Sequence, residues 1–124
     1  MTAHTAVVLG ASNKTDRYSY KAMKLLIENG VSVIPVHPVL KEIEGISCVP
    51  NLAGITTSID TLTVYIGADR MTSIRDDIIK LNPGRVIFNP GTENNEVIAA
   101  IEAKGIKCLR ACTLVMLKTG QFFL

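Results

Sequence analysis

The sequence predicts an α/β domain whose mainly parallel, five-stranded sheet carries helices on both faces. Three observations predict it. Short, apolar, β-branched runs alternate with segments of helical periodicity. The helical segments run to 10–13 residues, the length a parallel crossover needs. Gly, Asn and Pro signals separate the two kinds of segment.

The elements follow in order. Thr5–Leu9 reads as a buried strand that ends at Gly10. Residues 18–29 read as a helix, with Ala22, Met23, Leu26 and Ile27 facing inward, Lys21, Lys24 and Glu28 facing water, and Gly30 as the stop. A second strand carries Val31, Val33, Ile34 and Val36 and halts at His37-Pro38. Pro35 cannot donate a ladder hydrogen bond, so this strand belongs at an edge or bends. Residues 39–57 are less regular, with a very short strand expected within 45–50 and one helical turn within 51–55.

Residues 62–66 form the next strand, followed by Gly67 and Ala68. Met71–Leu81 has helical spacing through Ile74, Ile78, Ile79 and Leu81, and Asn82-Pro83-Gly84 ends it. Arg85–Phe88 reads as a strand. Thr92 is an expected cap of a helix with Val97, Ile98 and Ile101 inward, closed by Lys104-Gly105; Glu93, Asn94 and Asn95 at its start are read either as caps or as flanking the ligand crevice, with the cap favoured for Asn94. Residues 106–109 give the last strand, Thr113–Lys118 a short helix, and residues 121–124 a tail. A reversal of strand order is expected near the first strand.

Composition narrows the function classes. The 124 residues suit one domain, and 48% hydrophobic against 19% charged residues excludes a disordered chain. With 5% aromatic residues and no Trp, aliphatic side chains must fill the core. The net charge is +2 and the thirteen basic residues are scattered, so no nucleic-acid partner is expected. No apolar run approaches the roughly 18 residues of a membrane span, and no signal segment is evident at the N-terminus. Cys48, Cys108 and Cys112 lack the spacing of a disulfide framework, zinc ribbon or redox pair, and His4 and His37 are the only histidines. No metal is expected, and a reducing cytoplasm fits best.

The informative segment is Gly10-Ala11-Ser12-Asn13-Lys14-Thr15-Asp16-Arg17-Tyr18-Ser19-Tyr20-Lys21. It joins the first strand to the first helix, where open parallel sheets place ligands and helix N–H groups face the crevice. Gly10 allows a tight turn, and Ala11 and Ser12 are small. Ser12, Asn13, Thr15 and Ser19 can donate hydrogen bonds, while Lys14, Arg17 and Lys21 can offset negative charge. A phosphate site is the reading these residues favour. A plain structural turn, with Arg17 paired to Asp16, is the alternative. Neither GxGxxG nor GxxxxGK[ST] is present, and Val36-His37-Pro38-Val39 stands where an NAD site presents an acid. Hydride transfer with NAD is therefore not expected.

Several motifs carry a resemblance over nearly the whole chain. They are Val8-Leu9-Gly10-Ala11-Ser12, Arg17-Tyr18-Ser19, the stretch from Gly30 to Pro38, Ile43-Glu44-Gly45, Asn89-Pro90-Gly91 and Cys112. With them the chain resembles the small stand-alone coenzyme-A-binding domain proteins of bacteria, akin to the nucleotide-binding domain of succinate–CoA ligase alpha chains. The resemblance implies a Rossmann-like three-layer sandwich that holds the nucleotide end of coenzyme A. It implies Gly10, Ala11 and Ser12 beneath the pyrophosphate, with Lys14, Arg17 and Tyr18 in the enclosing loop. It implies His37 and Pro38 beside the adenosine, residues 64–68 including Ala68 on the opposite rim, and Asn89 as a further contact. Many relatives carry an aromatic-Leu-Gln-x-Gly segment where this chain has Phe88-Asn89-Pro90-Gly91.

No Ser/His/Asp arrangement is supported, and catalysis is not evident. The leading expectation is a non-enzymatic module for coenzyme A or an acyl-CoA. One alternative is an enzyme, either a CoA-dependent transferase partner or a thiol-exchange protein using Cys112, with the opposing reading that Cys112 is a small buried hydrophobe. Another is a nucleotide fold used as an interaction module, in which Phe122-Phe123-Leu124 covers a twin subunit in a homo-oligomer rather than completing the monomer core.

Overall fold

A computed structural model describes residues 4–123. Strand β1 (Thr5–Leu9) leads through a loop to helix α1 (Tyr18–Glu28) and strand β2 (Ser32–Val36). A small antiparallel hairpin follows, made of β3 (Glu42–Ile43) and β4 (Ile46–Ser47), and then a 3-10 turn at Leu52–Gly54. The chain continues through β5 (Thr61–Val64), a second 3-10 turn at Ala68–Arg70, α2 (Met71–Leu81), β6 (Arg85–Phe88), α3 (Asn95–Glu102), β7 (Lys107–Arg110) and α4 (Thr113–Lys118).

The main sheet has the order β2-β1-β5-β6-β7, and every neighbouring pair is parallel. The domain is therefore an α/β three-layer sandwich with a parallel five-stranded sheet. Period-two alternation of the strands divides its interior in two. Val7, Leu9, Val86 and Phe88 point to one face, where Met71, Ile78, Val97, Ile98 and Ile101 of α2 and α3 cover them. Ala6, Val8 and Ile87 point to the other, beneath Met23 and Leu26 of α1, Met116 and Leu117 of α4, and Phe122. Each such fully buried aliphatic side chain contributes about 1.5–3 kcal/mol over its exposed state.

Order reverses at β1. The chain turns to one side to make β2, then returns across β1 to lay β5 on its other side. Pro35 sits in β2, an edge strand, as its missing donor requires. The carboxyl ends of β1 and β5 diverge into opposite crossovers, which opens a crevice between them.

Four local expectations shift. The third strand of the sheet ends at Val64 rather than Ile66; the Tyr65 N–H makes a last bond to the Leu9 carbonyl at 2.8 Å, and Tyr65 and Ile66 line the crevice. Asn94, not Thr92, caps α3: its Oδ1 accepts the Val97 N–H at 3.2 Å, while the Thr92 hydroxyl donates to the Asn89 carbonyl at 2.7 Å. The last strand runs one residue further along the chain, Lys107–Arg110. The irregular stretch after β2 forms a two-stranded hairpin, turning at Glu44 and Gly45 with φ of 52° and 76°. In the tail, Phe122 is buried and Phe123 is 55% exposed, while Leu124 lies outside the described residues.

Candidate functional site

The site begins where β1 stops. Gly10 adopts φ +89°, a conformation that favours glycine. A Cβ there would lie 2.9 Å from Ile66 Cγ2 and 3.0 Å from the Tyr65 carbonyl carbon, so the turn is pressed against the end of β5. The Ala11 N–H donates to the Val36 carbonyl at 3.2 Å, tying the loop to β2. Ser12 Oγ accepts the Lys14 N–H at 3.1 Å, and the Lys14 carbonyl accepts the Arg17 N–H at 3.1 Å. These bonds curl the loop and deliver the chain to α1. No side chain caps α1 at Arg17. The first-turn N–H groups and the positive end of the helix dipole thus face the loop without a protein carboxylate over them.

Two lobes of one crevice meet over Gly10. The first, about 490 Å³, is lined on one side by Ser12, Asn13, Lys14, Arg17, Tyr18 and Ser19 and on the other by Gly67 and Pro90 to Thr92. The second, about 470 Å³, runs between Ala11, Val36, His37 and Pro38 and the segments holding Leu52, Arg70, Ile74 and Asp77. Gly10, Arg17, His37, Tyr65 and Ile66 line both. A smaller cleft of about 260 Å³ lies beside the first lobe and shares Tyr18, Tyr65 and Pro90 with it. Asn89, Cys112 and Leu114 complete its walls.

The charge in the crevice is positive and uncommitted. Among the described residues, Lys14, Arg17 and Arg70 form no ion pair; the recorded pairs are Lys24–Glu44 and Arg75–Asp76. The surface pairing of Arg17 with Asp16 is not formed. His37 Nδ1 accepts the N–H groups of Val39 at 3.0 Å and Leu40 at 2.9 Å. That leaves the proton on Nε2 in the neutral ring, so His37 can donate from the edge opposite its anchor.

Gly10, Ser12, Lys14, Arg17, Tyr18 and His37 come together in the first lobe, and Ala11 and Pro38 join Gly10, Arg17 and His37 in the second. Ala68 lines neither lobe; its carbonyl accepts from Asn94 Nδ2 at 3.0 Å, a bond that ties the 3-10 turn to α3. Asn89 is buried beneath the side cleft. Its amide donates to Thr63 Oγ1 and the Val64 carbonyl, each at 2.8 Å, and accepts from the Thr113 N–H at 2.9 Å. Those bonds give its side chain a structural task.

Two further residues stand at the crevice: Tyr65, within the expected rim segment 64–68, and Arg70, which lies outside every expected segment of the site. Tyr65 lines all three spaces, and its hydroxyl is buried without a hydrogen-bond partner. Burial pushes its ionisation up to about 12, although the Thr113 and Thr63 hydroxyls lie nearby. The Thr63 and Thr113 hydroxyls instead bond to each other at 2.8 Å. The hydroxyl is sealed from solvent beside the Thr63 and Thr113 hydroxyls, so the ring rather than the hydroxyl borders the crevice. Arg70 escaped notice because the turn that carries it has no helical or strand periodicity. An aromatic residue immediately after the strand at the order reversal was the available signal for Tyr65.

The three cysteines are free. Burial raises the Cys48 thiol and pushes Cys108 up to about 11, so neither supplies much thiolate near neutrality. Among the described residues no group of three or more His, Cys, Asp or Glu could hold a metal ion, and no helix is long and apolar enough to cross a membrane.

A parallel sheet that reverses order beneath an uncapped helix N-terminus, with free cations around it, defines a nucleotide-binding class of α/β domain. Residues 4–118 match the family model described as CoA binding domain, and the chain belongs to that family. It is 26% identical over 98 residues to the protein YneT of Bacillus subtilis (strain 168), across 79% of this chain and 73% of that one. A solved crystal structure of an uncharacterized protein superposes with a TM-score of 0.91 at 37% identity, covering 98% of this chain and 100% of that chain. A dinucleotide-forming acetyl-coenzyme A synthetase from Ca. Korarchaeum cryptofilum shares the fold, with a TM-score of 0.74 and 19% identity, over 86% of this chain and 25% of that one. The family match is to the CoA binding domain at large and does not single out the succinate–CoA ligase alpha chain.

Proposed function

We propose that this protein binds coenzyme A or an acyl-CoA through its nucleotide and pyrophosphate portion, as a module without catalysis of its own. The observation that carries the reading is the Gly10–Tyr18 loop, which joins an uncapped helix N-terminus to two unpaired cations, Lys14 and Arg17. A diphosphate takes N–H donors and positive charge from such a cradle without a metal ion. Gly10, Ala11 and Ser12 lie beneath it, Arg17 and the Nε2–H of His37 reach it from the sides, and Tyr18 flanks it. Asn89 lines the side cleft, and the Ala68 carbonyl ties the rim to α3.

Calorimetric titration with CoA, ATP and NAD tests the reading. CoA binds most tightly, Arg17→Ala weakens it, and added salt weakens it further because the mouth is open to screening. Equal affinity for NAD, or no CoA binding by folded protein, removes the reading.

Cys112 supports a second reading, because it lines the side cleft that shares Tyr18, Tyr65 and Pro90 with the first lobe. There the Cys112 thiolate attacks the disulfide of oxidised CoA, forming a protein–CoA disulfide and releasing one CoA thiolate. Mass spectrometry after incubation with CoA disulfide detects the adduct. Its absence from wild type, or its persistence in Cys112→Ser, rejects this reading.

A further inference from the structure

Arg70 stands apart from the other cations of the crevice. It lines the second lobe and not the first, whereas Arg17 lines both and Lys14 only the first. Its backbone is fixed: the N–H donates to the Gly67 carbonyl at 3.0 Å, and the carbonyl accepts from Ser73 Oγ at 2.9 Å. Its side chain is exposed and, among the described residues, has no hydrogen bond or ion pair. A guanidinium held at its root and free at its tip is suited to a phosphate, which it can grip with two parallel N–H donors.

The rest of the lobe says what carries that phosphate. Pro38, Pro50, Leu52 and Ile74 supply apolar walls of the kind that take a flat base. The one carboxylate is Asp77, seven residues beyond Arg70, or roughly 10 Å along the α2 axis. A donor such as a base amino group suits that end, and an anion suits the Arg70 end. The lobe starts at the Gly10 loop, where Lys14 and Arg17 already match the charge of a diphosphate. Arg70 is then a cation in excess, one nucleoside away from the cradle.

We propose that Arg70 reads the 3′-phosphate on the ribose of coenzyme A, making the second lobe selective for CoA over nucleotides that lack this group. The inference rests on the CoA reading above and extends it to a residue that distinguishes among ligands. A phosphomonoester carries about two negative charges at neutral pH, so the second lobe gains an anion that dephospho-CoA does not offer.

The test is a matched pair of calorimetric titrations, CoA against dephospho-CoA, on wild type, Arg70→Ala and Arg17→Ala. Wild type prefers CoA by roughly ten-fold, the scale of one charge-assisted contact. Arg70→Ala loses that preference by weakening CoA alone and leaves dephospho-CoA unchanged. Arg17→Ala weakens both ligands, because both carry the diphosphate. Equal wild-type affinity for the two ligands overturns the role of Arg70 while leaving the CoA reading intact. So does an Arg70→Ala variant that weakens both alike or neither. Failure of folded wild type to bind either ligand defeats the CoA reading and this inference together.

Discussion

Asn89 Oδ1 accepts the backbone N–H of Thr113 at 2.9 Å, joining the end of β6 to the first turn of α4. The same amide donates to Thr63 Oγ1 and the Val64 carbonyl of β5, so one buried side chain ties three elements beneath the crevice. Asn89→Ala removes three hydrogen bonds: the buried Thr113 N–H loses its Asn89 acceptor, while Thr63 Oγ1 keeps its bond to Thr113 Oγ1. A loss of about 2–4 kcal/mol in unfolding free energy is expected. Urea denaturation checks it, and an effect below about 1 kcal/mol contradicts the structural task assigned to this residue.

Tyr65 gives the opposite pattern. Its hydroxyl has no protein partner, so Tyr65→Phe removes a buried polar atom without breaking a bond. Thermal unfolding of the free protein should stay level or move upward. Affinity for CoA should stay within about 2-fold, because the hydroxyl is sealed from the crevice. Lower stability would show that the hydroxyl bonds to Thr63 or Thr113 and serves the fold instead.

Acid should weaken the fold through His4, at the far end of the sheet from the crevice. His4 Nε2 lies 2.9 Å from Thr61 Oγ1, and its ring packs 5.2 Å from that of Phe122. Burial holds its ionisation below the ordinary histidine value, against the pull of Asp60 and with a smaller push from Arg85. The folded state therefore prefers the neutral ring. This contribution is complete above the unfolded value near 6.5 and is lost as pH falls through the lower folded value. Denaturation between pH 7.5 and 5 should show a decline that is shallower in His4→Gln. Identical slopes in the two proteins would contradict it.

Much of this architecture was legible in the sequence because the strong signals are local. Thr5–Leu9, Met71–Leu81, Arg85–Phe88 and Thr113–Lys118 begin and end where apolar period and stop residues place them. Pro35 marked an edge strand because a missing donor has few places to go. The misplacements occur where tertiary contacts decide. Thr92 and Asn94 are both competent caps by type, and Asn89 settles the choice by accepting the Thr92 hydroxyl. Tyr65 and Ile66 have strand character, yet the strand ends at Val64 with one last bond from the Tyr65 N–H to Leu9, and both residues line the crevice.

At the site, the loop after β1 could be read because glycine, small residues and cations sit together in sequence. Arg70 could not, since it reaches the crevice from a 3-10 turn across the order reversal, and only the fold makes it a neighbour of His37. Asn89, expected as a ligand contact, bonds Thr63, Val64 and Thr113 while lining the side cleft, and the carbonyl of Ala68, expected on the rim, accepts from Asn94.

The most direct test of the central claim is amide NMR of the labelled protein during titration with CoA. The account predicts saturable shifts led by the N–H groups from Gly10 to Tyr20, with Tyr65 and the His37–Leu40 turn following. Shifts confined to the opposite end of the sheet, around His4 and Phe122, or a spectrum that CoA leaves unchanged, would contradict it.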